Sequence, residues 1–186
     1  MPGQKNIPSA LQVTAIPKAT VYLDNKELGK TPYYDEKIPP GEHTVRIAAD
    51  SANFISWQQQ IKFTPRILTV INRILGPTDV LSSGEIVTSE QLDDVKTAEL
   101  AVVSSPDGAK VVIDNSDAGL TPFAQKNAGI GSHEITVSFP NYTKRQIKVI
   151  TQPGYRLIVN VQLAQILTDE IIPQATNSAT QSAQST

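Results

Sequence analysis

The feature that most constrains this 186-residue chain is that much of it is written twice. Residues 23–32 read LDNKELGKTP and residues 113–122 read IDNSDAGLTP. Gly29 and Gly119, Pro32 and Pro122, Gly41 and Gly131, and His43 and His133 are each 90 residues apart. Asp24-Asn25 recurs as Asp114-Asn115 at the same spacing. Upstream the register slips by one, because Pro17-Lys18-Ala19 lacks the glycine of Pro106-Asp107-Gly108-Ala109. A chain of this length holds one ordinary domain or two small ones, and an internal repeat selects the second option.

Each copy carries the same order of signals. An alternating apolar run (Leu11, Val13, Ala15; Leu100, Val102) leads into a proline turn and a second run, Ala19–Leu23 or Ala109–Ile113. Alternation of this kind places every second side chain on one face of a strand. Asp-Asn then opens a tight turn, since both residues tolerate left-handed backbone and bond it locally. Gly-x-Thr-Pro follows (Gly29, Thr31, Pro32; Gly119, Thr121, Pro122). Glycine accepts positive φ, and proline lacks an N–H and holds the threonine extended. The pair ends a hairpin and takes the chain out of the ladder. Gly41 and Gly131 open a strand in which His43, Val45 and Ile47, or His133, Ile135 and Val137, share a face. Ile61-Lys-Phe63 and Ile147-Lys-Val149 come next, and then the closing strands 68–74 and 155–163. Short strands at regular spacing predict an all-β chain of two small β-sandwiches with six or seven strands each.

These motifs resemble the PEGA domain, a small β-domain named for a Pro-Glu-Gly-Ala turn. The second copy has Pro106, Asp107, Gly108 and Ala109 at that turn; the first has Pro17, Lys18 and Ala19. "VYLDNKELGKTPY" and "PPGEHTVRI" are similar to the family's hairpin and Pro-Gly-x-His stretches. The resemblance implies a tandem PEGA-domain protein, with copies at 9–76 and 99–167. Such domains resemble parts of bacterial and archaeal surface-layer and envelope proteins, often beside a membrane anchor. No catalytic residues come with the family.

Between the copies, residues 76–99 carry six acids and one base. Polar linkers are solvated by default, so 77–98 reads as an acidic spacer. The alternative is that the strand-like Glu85-Ile-Val-Thr88 adds to a sheet edge. Residues 168–186, rich in Ala, Ser, Thr, Gln and Asn, form a low-complexity tail expected to be disordered. With no cysteine, disulfides and thiolate metal sites are excluded. A net charge of −2 provides no global field for nucleic acid or anionic lipid. There is no run of eighteen apolar residues and no signal peptide at 1–10, so no membrane insertion is expected within the chain. The chain is then either cytosolic or preceded by a removed signal or anchor.

The histidines sit two residues after a glycine, in phase with inward residues. No His-x-His or Glu-x-x-His spacing accompanies them, so they read as strand-end residues bonding a backbone carbonyl under the turn, not as metal ligands. No Gly-x-Ser-x-Gly elbow and no glycine loop opening a helix is present. The turn acids do not follow an EF-hand pattern. The expectation is a non-enzyme with no cofactor and no metal. Trp57 is in phase with Ile61 and Phe63 and reads as core; the alternative is a glycan-stacking platform with Tyr33, Tyr34 and Phe54. The leading functional expectation is an extracytoplasmic structural or interaction protein of the cell envelope. The runners-up are a module binding wall or surface polysaccharide, and an accessory or sensory segment of a larger membrane-anchored protein.

Overall fold

A computed structural model describes residues 7–167. The tail assigned to 168–186 lies outside the described residues. The first copy contributes β1 (Ser9–Ile16), β2 (Ala19–Leu23), β3 (Lys26–Lys30), β4 (Tyr33–Ile38), β5 (Gly41–Ala49), β6 (Trp57–Phe63) and β7 (Leu68–Ile74). The segment between the copies forms a 3-10 turn, Asp79–Leu81, and β8 (Ser83–Gln91). The second copy contributes β9 (Ala98–Ser105), β10 (Lys110–Ile113), β11 (Ser116–Leu120), β12 (Phe123–Gln125), β13 (Gly131–Ser138), β14 (Arg145–Thr151) and β15 (Tyr155–Gln162).

The repeated punctuation builds the same corner twice. Asp24 and Asn25 have φ of 48° and 67°, and Asp114 and Asn115 have 50° and 64°. Two consecutive residues with positive φ make the type I′ turn whose twist suits a hairpin. One residue later in register, Leu28 and Ala118 are each an extra residue opposite the partner strand, a bulge completed by Gly29 (φ +153°) and Gly119 (φ +131°). Thr31 and Thr121 then fold back onto Ala19 and Ala109. Each threonine N–H donates to the alanine carbonyl at 2.8 Å. Each threonine Oγ1 accepts from the alanine N–H, at 3.0 Å in the first copy and 2.9 Å in the second. Both alanines are fully buried. The hydroxyl thus satisfies a buried amide where the chain has left the ladder.

The strands form three sheets: β3-β2-β5-β6, β11-β10-β13-β14, and one of seven strands in the order β12-β9-β15-β8-β7-β1-β4. The seven-stranded sheet belongs to both copies. Residues 83–91 are therefore not the solvated spacer that their acidity suggests. They pair antiparallel with β7 on one side and with β15 on the other, joining two edges. The physical reason is an apolar pair at the strand's centre, Ile86 and Val87, whose side chains point to opposite faces. Ile86 enters the first core with Leu11, Val13 and Ile71; Val87 packs on the second, with Val102, Leu157 and Val159.

That alternation dictates the architecture. β7 and β15 run in the same direction, because each is antiparallel to β8. The strand order is mirrored about β8. The operation that reverses lateral order while preserving direction is a twofold rotation about the β8 axis, and it exchanges the faces of the sheet. The two four-stranded sheets consequently cover opposite faces, one over each half.

Replacing Thr121 by valine should retain the shape and strand the Ala109 N–H. We expect a loss of about 1–3 kcal/mol in urea unfolding. A Thr121→Val protein as stable as the parent would remove this account of the motif.

Candidate functional site

The residues singled out by the repeat all assemble at the turn ends of the sandwiches. Pro17 and Pro106 follow β1 and β9, and Gly108 fills the turn position that the first copy lacks. Gly41 and Gly131 begin β5 and β13 with φ of +126°. His43 and His133 lie one turn away. Their Nδ1 atoms donate to Oδ2 of Asp24 and Asp114 at 2.6 Å in both copies. The other carboxylate oxygen accepts from the next strand's N–H, Thr44 at 2.8 Å and Glu134 at 2.9 Å. The predicted carbonyl partner is present for His133, whose Nε2 donates to the Gly129 carbonyl at 2.9 Å. The aspartate partners follow from the turn: its first residue points back over the neighbouring strand.

These bonds shift titration. The bond from His43, followed by the Thr44 amide, holds the Asp24 carboxyl below the usual carboxylate range. For Asp114 the Glu134 amide leads and His133 follows. The Asp114 bond, then the Gly129 carbonyl, raises the His133 imidazole above its ordinary value. A raised folded-state pKa stabilises fully below the unfolded value, about 6.5, and is lost as pH rises through the folded value. Urea unfolding of the parent and of His133→Gln should therefore differ more at about pH 5.5 than at about pH 8.5. An equal gap at both pH values would contradict the pairing.

The aromatic platform does not form. Trp57 is 8% exposed and belongs to the first core, with the Arg73 guanidinium 4.8 Å from its ring centroid. Tyr33 and Phe54 pack against the same core, while Tyr34, the next residue along β4, points to the opposite face and is exposed. Without an open indole face, Trp57 cannot stack a sugar.

The chemistry that the sequence did not disclose lies at the junction of the copies. On the second-core face, Thr14 donates to Asn72 at 2.5 Å, and Asn72 donates to Glu85 at 2.7 Å. Arg145 of β14 closes the chain by donating to Glu85 Oε2 through Nη2, and through Nε at 3.1 Å. The Glu85 side chain is 6% exposed. This single network joins β1, β7, β8 and the second copy. On the other face Arg73 is 4% exposed and donates through Nη2 to Gln162 Oε1 at 2.6 Å. Gln162 in turn donates to the Asp79 carbonyl at 3.0 Å. Gly84 stands between Arg73 and Gln162 in register. A Cβ there would lie 2.9 Å from Arg73 Cδ and 2.2 Å from the Asn72 carbonyl oxygen, so only glycine leaves the lane open. Burial pushes the Arg73 guanidinium down to about 10, against weaker opposing effects of Asp79 and Glu85. It remains charged at neutral pH.

The same twofold leaves two grooves, each between the free edge of one copy's small sheet and the uncovered sheet face of the other copy. The groove beside β14 is apolar, with Leu68, Val70 and Ile150. The groove beside β6 mixes apolar residues such as Ile61 and Ile158 with Gln59, Asn160 and Gln162, and Arg73 lines a cavity of about 260 Å³ at one end of it. The useful signal was the comparison of copies: Arg73 lies two residues from buried Ile71, where an apolar side chain is expected.

Breaking the Glu85 network should destabilise both halves together. Glu85→Ala leaves the Arg145 charge without its partner and should cost about 3–5 kcal/mol, and the Glu85→Ala, Arg145→Met double variant should recover part of it. Strict additivity of the two substitutions in urea unfolding would show that the pair is not coupled.

The PEGA domain family profile matches residues 9–78 and 97–166. No curated protein and no solved structure matches the chain.

Proposed function

The chain belongs to the PEGA domain family, and from that premise we propose that it is a non-catalytic spacing and presentation module of the cell envelope, displayed outside the cytoplasm. The observation that carries this reading is the shared sheet. Two modules joined only by a flexible linker would present their surfaces at variable separation. Here β8 pairs with the first copy through residues 83–87 and with the second through residues 84–91, and a buried ion pair crosses the junction. Such a body holds a fixed distance between its ends, which suits a structural or adaptor role more than a mobile catalytic one. Among the described residues, no helix is long and apolar enough to cross a membrane. In this reading, attachment is supplied by other segments or by envelope partners.

Both parts of the reading are testable. The native chain has no cysteine, so Lys37→Cys and Lys126→Cys provide two unique labels at exposed positions in different copies. Spin labels there should give one narrow distance distribution; a broad one would defeat the rigid-spacer role. In cells that produce the protein, a membrane-impermeant amine reagent should label it without lysis. Labelling only after lysis would place it inside and overturn the envelope assignment.

A further inference from the structure

The repeat provides an internal standard for what folding requires. Gln59 pairs with Val45, and Ile147 pairs with Ile135, so Gln59 and Ile147 are equivalent positions. Arg73 pairs with Ala15, and Val161 pairs with Ser104, so Arg73 and Val161 are equivalent too. The second copy buries both apolar side chains, at 5% and 3% exposure. Folding therefore does not demand polarity at either place. The first copy nonetheless has an exposed amide and a buried guanidinium there, and both line one cavity.

Arg73 is also incompletely satisfied. Its Nε has no hydrogen-bond partner, and among the described residues no carboxylate lies within ion-pair distance of it. A desolvated guanidinium with spare donors favours a carboxylate, which it binds through charge-assisted bonds. The geometry beside it defines what carries that carboxylate. The consecutive residues Gln59, Gln60, Ile61 and Lys62 all line the groove, so it is the edge of β6 that forms its wall. Among the described residues β6 pairs with β5 alone, so its other row of N–H and C=O groups has no strand against it there. The floor is the uncovered face of β15, with Ile158 and Asn160. A free edge over a sheet floor accepts an extended peptide as an added strand. A peptide lying antiparallel to β6 begins near Thr64 and ends near Trp57, where Arg73 sits.

We propose that the β6 groove binds the C-terminal segment of a partner polypeptide as an added antiparallel strand, its free α-carboxylate received by Arg73 and Gln59. Roughly five residues fit along the wall, at about 3.3 Å each. The apolar β14 groove has Ile147 where the β6 groove has Gln59, and the guanidinium of β14, Arg145, is already paired with Glu85.

The test is selection from a random peptide library displayed with free C-termini, against the full chain. Selected peptides are then made as free acids and as C-terminal amides and titrated by fluorescence polarisation. Free acids should bind, and amidation should weaken binding by about tenfold or more. Arg73→Val, which installs the residue found in the second copy, should weaken binding as much while retaining the parent's cooperative unfolding. Gln59→Ile provides a second variant of the same kind, independent of whether Arg73→Val folds. The proposal fails if the library yields no binder, if amides bind as well as acids, or if Gln59→Ile and a folded Arg73→Val both bind like the parent. Binding of an acidic oligosaccharide such as oligogalacturonate, with no peptide selected, would assign the groove to a glycan and equally overturn it.

Discussion

Everything in this protein depends on one strand having two apolar faces at its centre. Ile86 and Val87 are neighbours in sequence and belong to different cores. A strand buried on both faces cannot remain at an edge or in solvent without exposing one of them. β8 resolves this by entering between the two copies, and from that placement follow the mirrored strand order and the opposite placement of the small sheets. Sandwiches of this size bury a modest fraction of their surface alone. A strand common to both cores makes the stability of each copy conditional on the other.

Polar groups set the register of this junction. Hydrophobic burial alone would tolerate β8 sliding by two residues, since alternation is preserved by such a shift. Glu85 facing Asn72 and Arg145, and Gly84 clearing a path between Arg73 and Gln162, are compatible with one register only. Buried ion pairs seldom add much net stability, and their best-attested role is to specify one arrangement among several of similar hydrophobic energy. The two networks lie on opposite faces of the sheet, so each copy is tied to the other above and below β8.

The repeat separates folding from specialisation within a single chain. Where the copies agree, as in the Asp-His pair, the Thr-Ala corner and the glycine bulge, the shared residues satisfy backbone groups or permit positive φ. Where they differ in the core phase, a different requirement acts. The register equates Trp57 with Arg145, because they face Ile47 and Val137. One covers a guanidinium and the other supplies one. The twofold axis thus relates two grooves of different chemistry, one mainly apolar and one richer in polar side chains.

The sequence by itself determined the strands, their turns, the tandem arrangement and the family, because these rest on local rules: alternation, the geometry of Asp-Asn and glycine, and the missing N–H of proline. It also marked His43 and His133 as structural residues through their recurrence. Only the tertiary structure decided what the acidic segment does, since its charge reports on solvation and not on the two apolar residues inside it. Pairing in register, moreover, is a property of the strands on either side. Arg73 and Glu85 were invisible for the same reason: a lone charge in a strand reads as solvent-facing until the opposite sheet covers it. Trp57 read as core from its phase with Ile61 and Phe63, with an open platform as the alternative, and the burial of its ring beneath Arg73 decided for the core. Local propensity acts through neighbours in sequence; burial acts through neighbours in space, and at the junction of two copies those neighbours are up to 89 residues apart.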